Sequence, residues 1–247
     1  TISSNGKLTI QPDVVIKFRR EDWPYNTFIK VQGNLIAKGS ATNKIYFTSF
    51  ADDSKGGDSN NNGNASAPQK GDWGQGHNYY AWNPYPGGII IENNSQVADT
   101  VISLKNCEIS YAATGLRIEK SHATVDSCVI QLTKYYGTAI VGSANPDIKN
   151  TQFYNINFSP VELSMFSNPA FTNCSALNVG YMALSVIQET YSQSDTVPAR
   201  NFGGYNNITY FMQNPCTINS GTTITIPAGI VFKSSTSNSN YYGSSAI

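Results

Sequence analysis

The amino-acid sequence predicts an all-β solenoid, in which short strands are wound into coils that stack along one axis. Three observations carry this prediction. A short phrase restarts at nearly constant spacing. The segments around it alternate apolar and polar residues. The composition is poor in charge and rich in turn formers. The phrase reads Leu104-Lys105-Asn106-Cys107-Glu108-Ile109, then Val125-Asp126-Ser127-Cys128-Val129-Ile130, then Phe171-Thr172-Asn173-Cys174-Ser175-Ala176. Ile148-Lys149-Asn150-Thr151-Gln152-Phe153 lies between the last two, with Thr in place of Cys, and the steps are 21, 23 and 23 residues. A recurrence of that length marks a repeat architecture.

Between the phrases come Gly115-Leu116-Arg117-Ile118, Thr138-Ala139-Ile140-Val141, Pro160-Val161-Glu162-Leu163 and Met182-Ala183-Leu184-Ser185. Their alternation predicts short strands with one buried face, and Glu119 to His122 reads as a turn. One such coil cannot bury its apolar face alone. Stacked coils can, because each backbone pairs with the coils above and below, and like residues then land on one another. Cys107, Cys128, Thr151 and Cys174 are thus expected to form one inward column. Asn106, Ser127, Asn150 and Asn173 form its neighbour, an amide ladder at a bend.

Charged residues make up only 13% of the chain. That suits stacking, because like charges one strand spacing apart repel. Formal net charge is zero, from 16 basic and 16 acidic side chains, without a basic run. Nucleic acid is therefore not an expected partner. No apolar stretch reaches membrane-spanning length, so membrane insertion is not expected either. No signal-like segment opens the chain, as also holds for a mature secreted fragment. Cys107 and Cys128 fall one strand spacing apart in this register, which permits a disulfide. The preferred reading is four buried thiols acting as small apolar residues, with Cys216 lacking an obvious mate.

A longer repeat is also present. Residues 1–31 and 217–247 align without a gap at an offset of 216, and seven of the first 17 pairs are identical. Leu8-Thr9-Ile10 meets Ile224-Thr225-Ile226, and Val14-Val15-Ile16-Lys17 meets Ile230-Val231-Phe232-Lys233. The expectation is one unit over residues 1–216 and the start of a second, related unit over 217–247. Such a chain is a fragment of a longer array, or a polymer whose ends complete one another.

Leu8 to Phe18 (LTIQPDVVIKF), Ile29 to Gly39 (IKVQGNLIAKG), Ile45 to Ser49 (IYFTS) and Gly71 to Gly74 (GDWG) resemble the opening of bacterial secreted right-handed parallel β-helix proteins. The Asn-Cys coils extend the likeness to about residue 190. The resemblance implies a right-handed parallel β-helix in an extracellular or cell-surface protein, often a large modular one. It leaves function open, because the same fold serves lyases, hydrolases, adhesins and inert stalks.

The unit carries a polar loop insertion over residues 51–88. Inside it, Asp58-Ser59-Asn60-Asn61-Asn62-Gly63 fits the front half of a calcium loop, with side-chain oxygens at alternate positions and a glycine for the sharp turn. Asp58, Asn60, Asn62 and Asn64 are the candidate calcium ligands, with Asp52, Asp53 and Asp72 compensating from outside. Gln69 occupies the position of the usual bidentate Glu, which weakens the match. The competing reading is an ordinary solvated Asn/Gly loop. Residues 75–86 then depart from the family pattern by inserting Tyr79, Tyr80, Trp82 and Tyr85 before the next strand. These rings can stack on sugars, anchor a neighbouring subunit or pack back on the solenoid.

Glycan-cleaving chemistry needs paired carboxylates, or a basic residue beside calcium. Glu108, Glu119, Asp126, Asp147 and Glu162 read as scattered. Lys105, Arg117, Lys134 and Lys149 read as isolated and solvated, and His77 and His122 read as inert. No catalytic residue is assigned. The expected function is a structural or adhesive module, joined end to end with itself or with neighbouring modules and touching surface glycans. The alternatives are a polysaccharide lyase or hydrolase and a non-catalytic glycan-binding module.

Overall fold

The computed structural model describes residues 1–20, 27–74, 87–92 and 101–234. Among them every regular element is a short strand, and all the strand pairs are parallel. The strands stack into three walls. The first contains β1 (Lys7–Ile10), β4 (Asn34–Lys38), β7 (Ile102–Lys105), β10 (Thr124–Asp126), β13 (Asp147–Lys149) and β16 (Ala170–Thr172). The second contains β2 (Val15–Phe18), β5 (Ile45–Ser49), β8 (Cys107–Ser110), β11 (Val129–Gln131), β14 (Gln152–Ile156) and β17 (Ser175–Val179). The third contains β3 (Ile29–Val31), β6 (Ile89–Glu92), β9 (Leu116–Glu119), β12 (Thr138–Val141), β15 (Val161–Leu163), β18 (Leu184–Val186), β21 (Tyr210–Met212) and β24 (Phe232–Ser234). Two small ribbons, β19 (Thr190–Tyr191) with β22 (Thr217–Ile218) and β20 (Asp195–Thr196) with β23 (Ile224–Thr225), complete the far end.

The register stacks like on like. Ala37, Leu104, Val125, Ile148 and Phe171 form one file of the first wall, and Phe47, Ile109, Ile130, Phe153 and Ala176 one of the second. Their side chains face a continuous interior, and most are fully buried. Each buried Leu or Ile contributes roughly 1.5–3 kcal/mol, so many coils together hold what a single coil cannot.

The predicted inward column is present. Cys107, Cys128 and Thr151 are at most 1% exposed, and Cys174 is 9% exposed at its end. All four cysteines, Cys216 included, are free thiols. Each column member donates to the carbonyl two residues back: Cys107 to Lys105 at 3.4 Å, Cys128 to Asp126 at 3.3 Å, Thr151 to Lys149 at 2.9 Å and Cys174 to Thr172 at 3.7 Å. Thr replaces Cys because the site takes a small side chain with one donor. The residue between donor and acceptor is left-handed every time, with φ of 47° at Asn106, 55° at Ser127, 50° at Asn150 and 50° at Asn173. Asn tolerates that region better than most residues.

The amide ladder is shorter than the sequence suggests. Asn173 donates to Asn150 at 3.0 Å, but Asn150 donates to Asp126 Oδ1 at 2.9 Å, because Ser127 is too short to continue the row. Ser127 donates to the same oxygen at 3.0 Å. The Asn150 amide above all, with Ser127 and Lys105, holds the Asp126 carboxyl below the usual carboxylate range against the opposing effect of burial. A second left-handed column turns the chain from the second wall into the third. It comprises Tyr111, Leu132, Asn155 and Asn178, with φ between 53° and 65°.

The third wall corrects the expectation of one buried face. Its strands from β9 to β21 are buried on both sides. Outward-facing Arg117, Ala139, Glu162, Ser185 and Phe211 form one file, all at most 8% exposed. The offset of 216 also acquires a structural meaning. Ile2, β1 and β2 recur as β22, β23 and β24, but β2 lies in the second wall and β24 in the third. The alignment matches strands and turns, and moves them on by one wall.

Candidate functional site

The insertion is stapled to the solenoid before anything else can be said of it. Asp52 accepts hydrogen bonds from Thr48 Oγ1 at 2.6 Å and from Ser54 Oγ at 2.6 Å. Asp72 accepts from Ser49 Oγ at 2.6 Å and from the Gln69 amide at 2.9 Å. Trp73 is buried, stacks on Phe18 at 4.0 Å between centroids, and donates Nε1–H to Ser110 O at 2.8 Å. Gly71 and Gly74 flank it at φ 91° and 90°, where a side chain would be strained. The GDWG phrase is thus a clasp that returns the chain to the core. Lys55 lies 3.5 Å from Glu108 and over the Tyr46 ring, and Lys70 donates to Asn155 Oδ1 at 3.0 Å and Asn157 Oδ1 at 2.7 Å.

The candidate calcium ligands divide. Asp58, Asn60 and Asn62 gather in one turn, which Asp58 closes by accepting from the amides of Asn62 at 3.2 Å and Gly63 at 2.8 Å. The Gly63 bond is the main cause that holds its carboxyl below the usual range. The side-chain amides of Asn60 and Asn62 both donate to Ser66 Oγ at 2.9 Å. Asn60 Oδ1 and Asp53 Oδ1 are buried without a hydrogen-bond partner, whereas Asp52 and Asp72 are committed to protein donors. Asn64 is exposed. Among the described residues no three His, Cys, Asp or Glu side chains converge on a common point. The oxygens present fit an Asx-closed turn, with Asn60 Oδ1 the acceptor left over. Tyr79, Tyr80, Trp82, Tyr85 and His77 lie outside the described residues.

The outer face of the third wall holds a cluster that reading along the sequence missed. Arg117 is not solvated. It is 8% exposed, and its guanidinium lies 2.5 Å from Glu119 Oε2. Two coils on in the same file stands Glu162, 6% exposed, with Oε2 buried and without a hydrogen-bond partner. Burial pushes its carboxyl up to about 8, opposed in part by the Tyr136 hydroxyl and reinforced by Glu189. Glu189 is itself pushed up by burial and accepts from Ser164 Oγ at 2.5 Å. Burial also raises the Tyr136 phenol, whose hydroxyl donates to Gln213 Oε1 at 2.8 Å, beyond β21. The aromatic row Tyr135, Phe158 and Tyr181 runs alongside at steps of 23 residues, with ring centroids 6.2 and 6.4 Å apart. The signal for this cluster lies in the sequence: Arg117, Ala139, Glu162 and Ser185 occupy equivalent positions of the repeated strands.

His122 lies at its predicted turn, with Nδ1 2.8 Å from Asn145 O. Lys105 pairs with Asp126 at 3.5 Å, half-exposed. Chemically, then, the described residues offer a row of stacked rings, a pair of carboxyls that burial makes hold their protons more tightly than usual, and an Asx-closed loop.

Comparison with known proteins places these features in a family. The family model described as right handed beta helix region matches residues 87–246, well over half of the 247-residue chain. Searches of curated proteins and of solved structures return no match. The matched stretch takes in the Cys column, both left-handed bends and the outer file of the third wall, and the same walls continue without a break back to β1. The chain is a member of the right-handed β-helix family.

Proposed function

We propose that this chain is a structural module of an extracellular or cell-surface protein, a stiff link that joins end to end with itself or with neighbouring modules. The supporting observation is the stacking, among the described residues, of six, six and eight strands in three walls, with repeated side-chain ladders at the bends. Loads along such a rod are shared by many parallel backbone bonds and one continuous core. A second, related unit beginning near Thr217 belongs to the same reading. Electron microscopy of the purified native material tests it: regular filaments or chained rods are expected, and dispersed single modules at all concentrations contradict it. Calcium at the Asp58 turn is part of this proposal. Its residues would stiffen the insertion, and chelation is expected to lower the melting temperature, an unchanged value removing calcium from the account.

One observation favours a second reading, a polysaccharide lyase or hydrolase. Glu162 keeps its proton to about pH 8 beside the Tyr136 hydroxyl and Glu189, next to a row of aromatic rings. A carboxyl of that kind is suited to general-acid work. Turnover of acidic or neutral polysaccharides that disappears in Glu162→Gln establishes the enzyme; a whole panel left uncut leaves the structural module. Non-catalytic glycan binding is separated from both by Trp82→Ala and Tyr85→Ala, which abolish it if the aromatic loop is the site.

A further inference from the structure

The three walls do not end together. The first stops at β16 and the second at β17, whereas the third continues through β18, β21 and β24. The step along the third wall changes there, from 23 residues between Val161 and Leu184 to 26 between Leu184 and Tyr210. After β18 the chain runs into β19 and β20, which among the described residues pair with β22 and β23 and not with β16 or β17. It then turns inward. Arg200 donates to Met165 O at 3.1 Å and to Tyr210 Oη at 2.5 Å, and Phe202 packs between Phe153 at 5.7 Å and Phe171 at 5.1 Å. Among the described residues the solenoid is thereby forked, with β16 and β17 each paired on one side.

Burial and bonding agree. Ile148 and Phe153, one coil back, are at most 1% exposed, but Phe171, Ala176 and Val179 are only half-buried, and Leu177 is 62% exposed. Ala170 N–H bonds back to Pro146 O, Thr172 O accepts from Asn150, and Ser175 N–H bonds back to Thr151 O. Main-chain groups alternate in direction along a parallel strand. Those of Phe171 and Ala176 therefore face the open side. A cleft of about 460 Å³ opens at the corner, between the Phe171–Ser175 bend and residues 201–206.

We propose that this fork is a strand-docking site, which takes one extended, uncharged peptide segment of another protein in parallel register on β16 and β17. The edge chemistry selects such an occupant. Unpaired backbone groups at strand spacing are met by another backbone, as in β-strand addition. Residues 170–179 contain no charged side chain. The inward file asks for an apolar residue over Phe171 and another over Ala176, five residues on, with a turn-tolerant residue between. A second whole solenoid is excluded, because β18, β21 and β24 already fill the third wall at the levels that its own third wall would need. The proposal is independent of end-to-end assembly, since the fork lies inside the module.

The probe is a fluorescently labelled synthetic peptide with the sequence of residues 147–156, its Asp and Lys replaced by Asn and Gln to leave it uncharged; in the protein that stretch occupies these same two walls one level below. Saturable binding to the intact chain is expected by fluorescence anisotropy. Ala176→Pro removes an outward N–H without touching a bond to β14, and is expected to weaken binding at least tenfold while circular dichroism stays unchanged. Independently of any variant, amide exchange at Phe171 and Ala176 is expected to slow at least tenfold when the peptide is added to the unaltered protein. Absence of saturable binding overturns the proposal, as does unchanged exchange at those two amides. Equal binding to a folded Ala176→Pro overturns it too.

Discussion

At the level of single residues, the bends are the informative positions. The Cys column works because each member donates one weak or ordinary hydrogen bond across a left-handed residue, and Thr151 demonstrates the exchange naturally. Cys128→Thr is therefore expected to alter the melting free energy by less than about 1 kcal/mol, whereas Cys128→Leu overpacks the column and costs about 1–3 kcal/mol. The neighbouring Cys128, and after it burial, pushes the Cys107 thiol up, and burial pushes up that of Cys174. Thiol reagents should accordingly modify them only on unfolding. Leu132 is the poorest match to its backbone, at φ 53° in a file that elsewhere uses Asn155 and Asn178. Leu132→Asn removes a strain of about 1–2 kcal/mol and gives the Asn155 amide a rung below it. A raised melting temperature is expected, and a fall shows that the lost Leu132 packing outweighs the strain. The first column was legible in the sequence because Asn-Cys repeats by identity. The second was not, because its four members share a conformation but only Asn155 and Asn178 share a side chain, with Tyr111 and Leu132 in the other places.

At the level of elements, the third wall and the clasp carry the functional argument. Trp73 joins the insertion to the coils on either side of β5, through Phe18 of β2 and Ser110 of β8. Trp73→Ala is expected to cost about 3–5 kcal/mol and to loosen residues 51–72, with proteolysis at that segment as the readout. Glu162 makes stability depend on pH in a definite direction. Its folded value of about 8 lies above the ordinary 4.5, so the folded state binds the extra proton between those values. Its contribution is full below about pH 4.5 and is lost as pH rises towards 8. Thermal melts of the natural chain should fall across that window. Glu162→Gln should flatten the fall and be the more stable form at pH 8, by on the order of a few kcal/mol. A parallel fall in both proteins contradicts the burial argument. Strand positions were readable from alternation, as at Thr138–Val141. Burial of the outer face was not, because alternation predicts which residues point outward and says nothing of what lies over them. Glu162 was misread as scattered, and Arg117 as isolated and solvated, for that reason.

For the whole molecule, the chain's own repetition dictates the architecture, and departures from it mark the places where contacts are made. The likeness at an offset of 216 captured the spacing of strands and turns faithfully. It could not reveal the change of wall, because strand-turn-strand spacing is similar at every corner. The fork was equally hidden, since it depends on a lengthened step to Tyr210 and an inward Phe202. Both the stiff module and the docking edge presuppose successive coils lying directly over one another. Tyr154 and Leu177 face outward on adjacent coils, and Gln131 and Leu177 lie two coils apart. Paired cysteines at these sites measure the stacking directly, because neighbouring parallel strands are about 4.8 Å apart, and a disulfide cannot span Cα atoms more than about 7 Å apart. Mild oxidation of the folded protein should cross-link Tyr154→Cys with Leu177→Cys and leave Gln131→Cys with Leu177→Cys unlinked. Cross-linking of the second pair without the first contradicts the stacked-coil account.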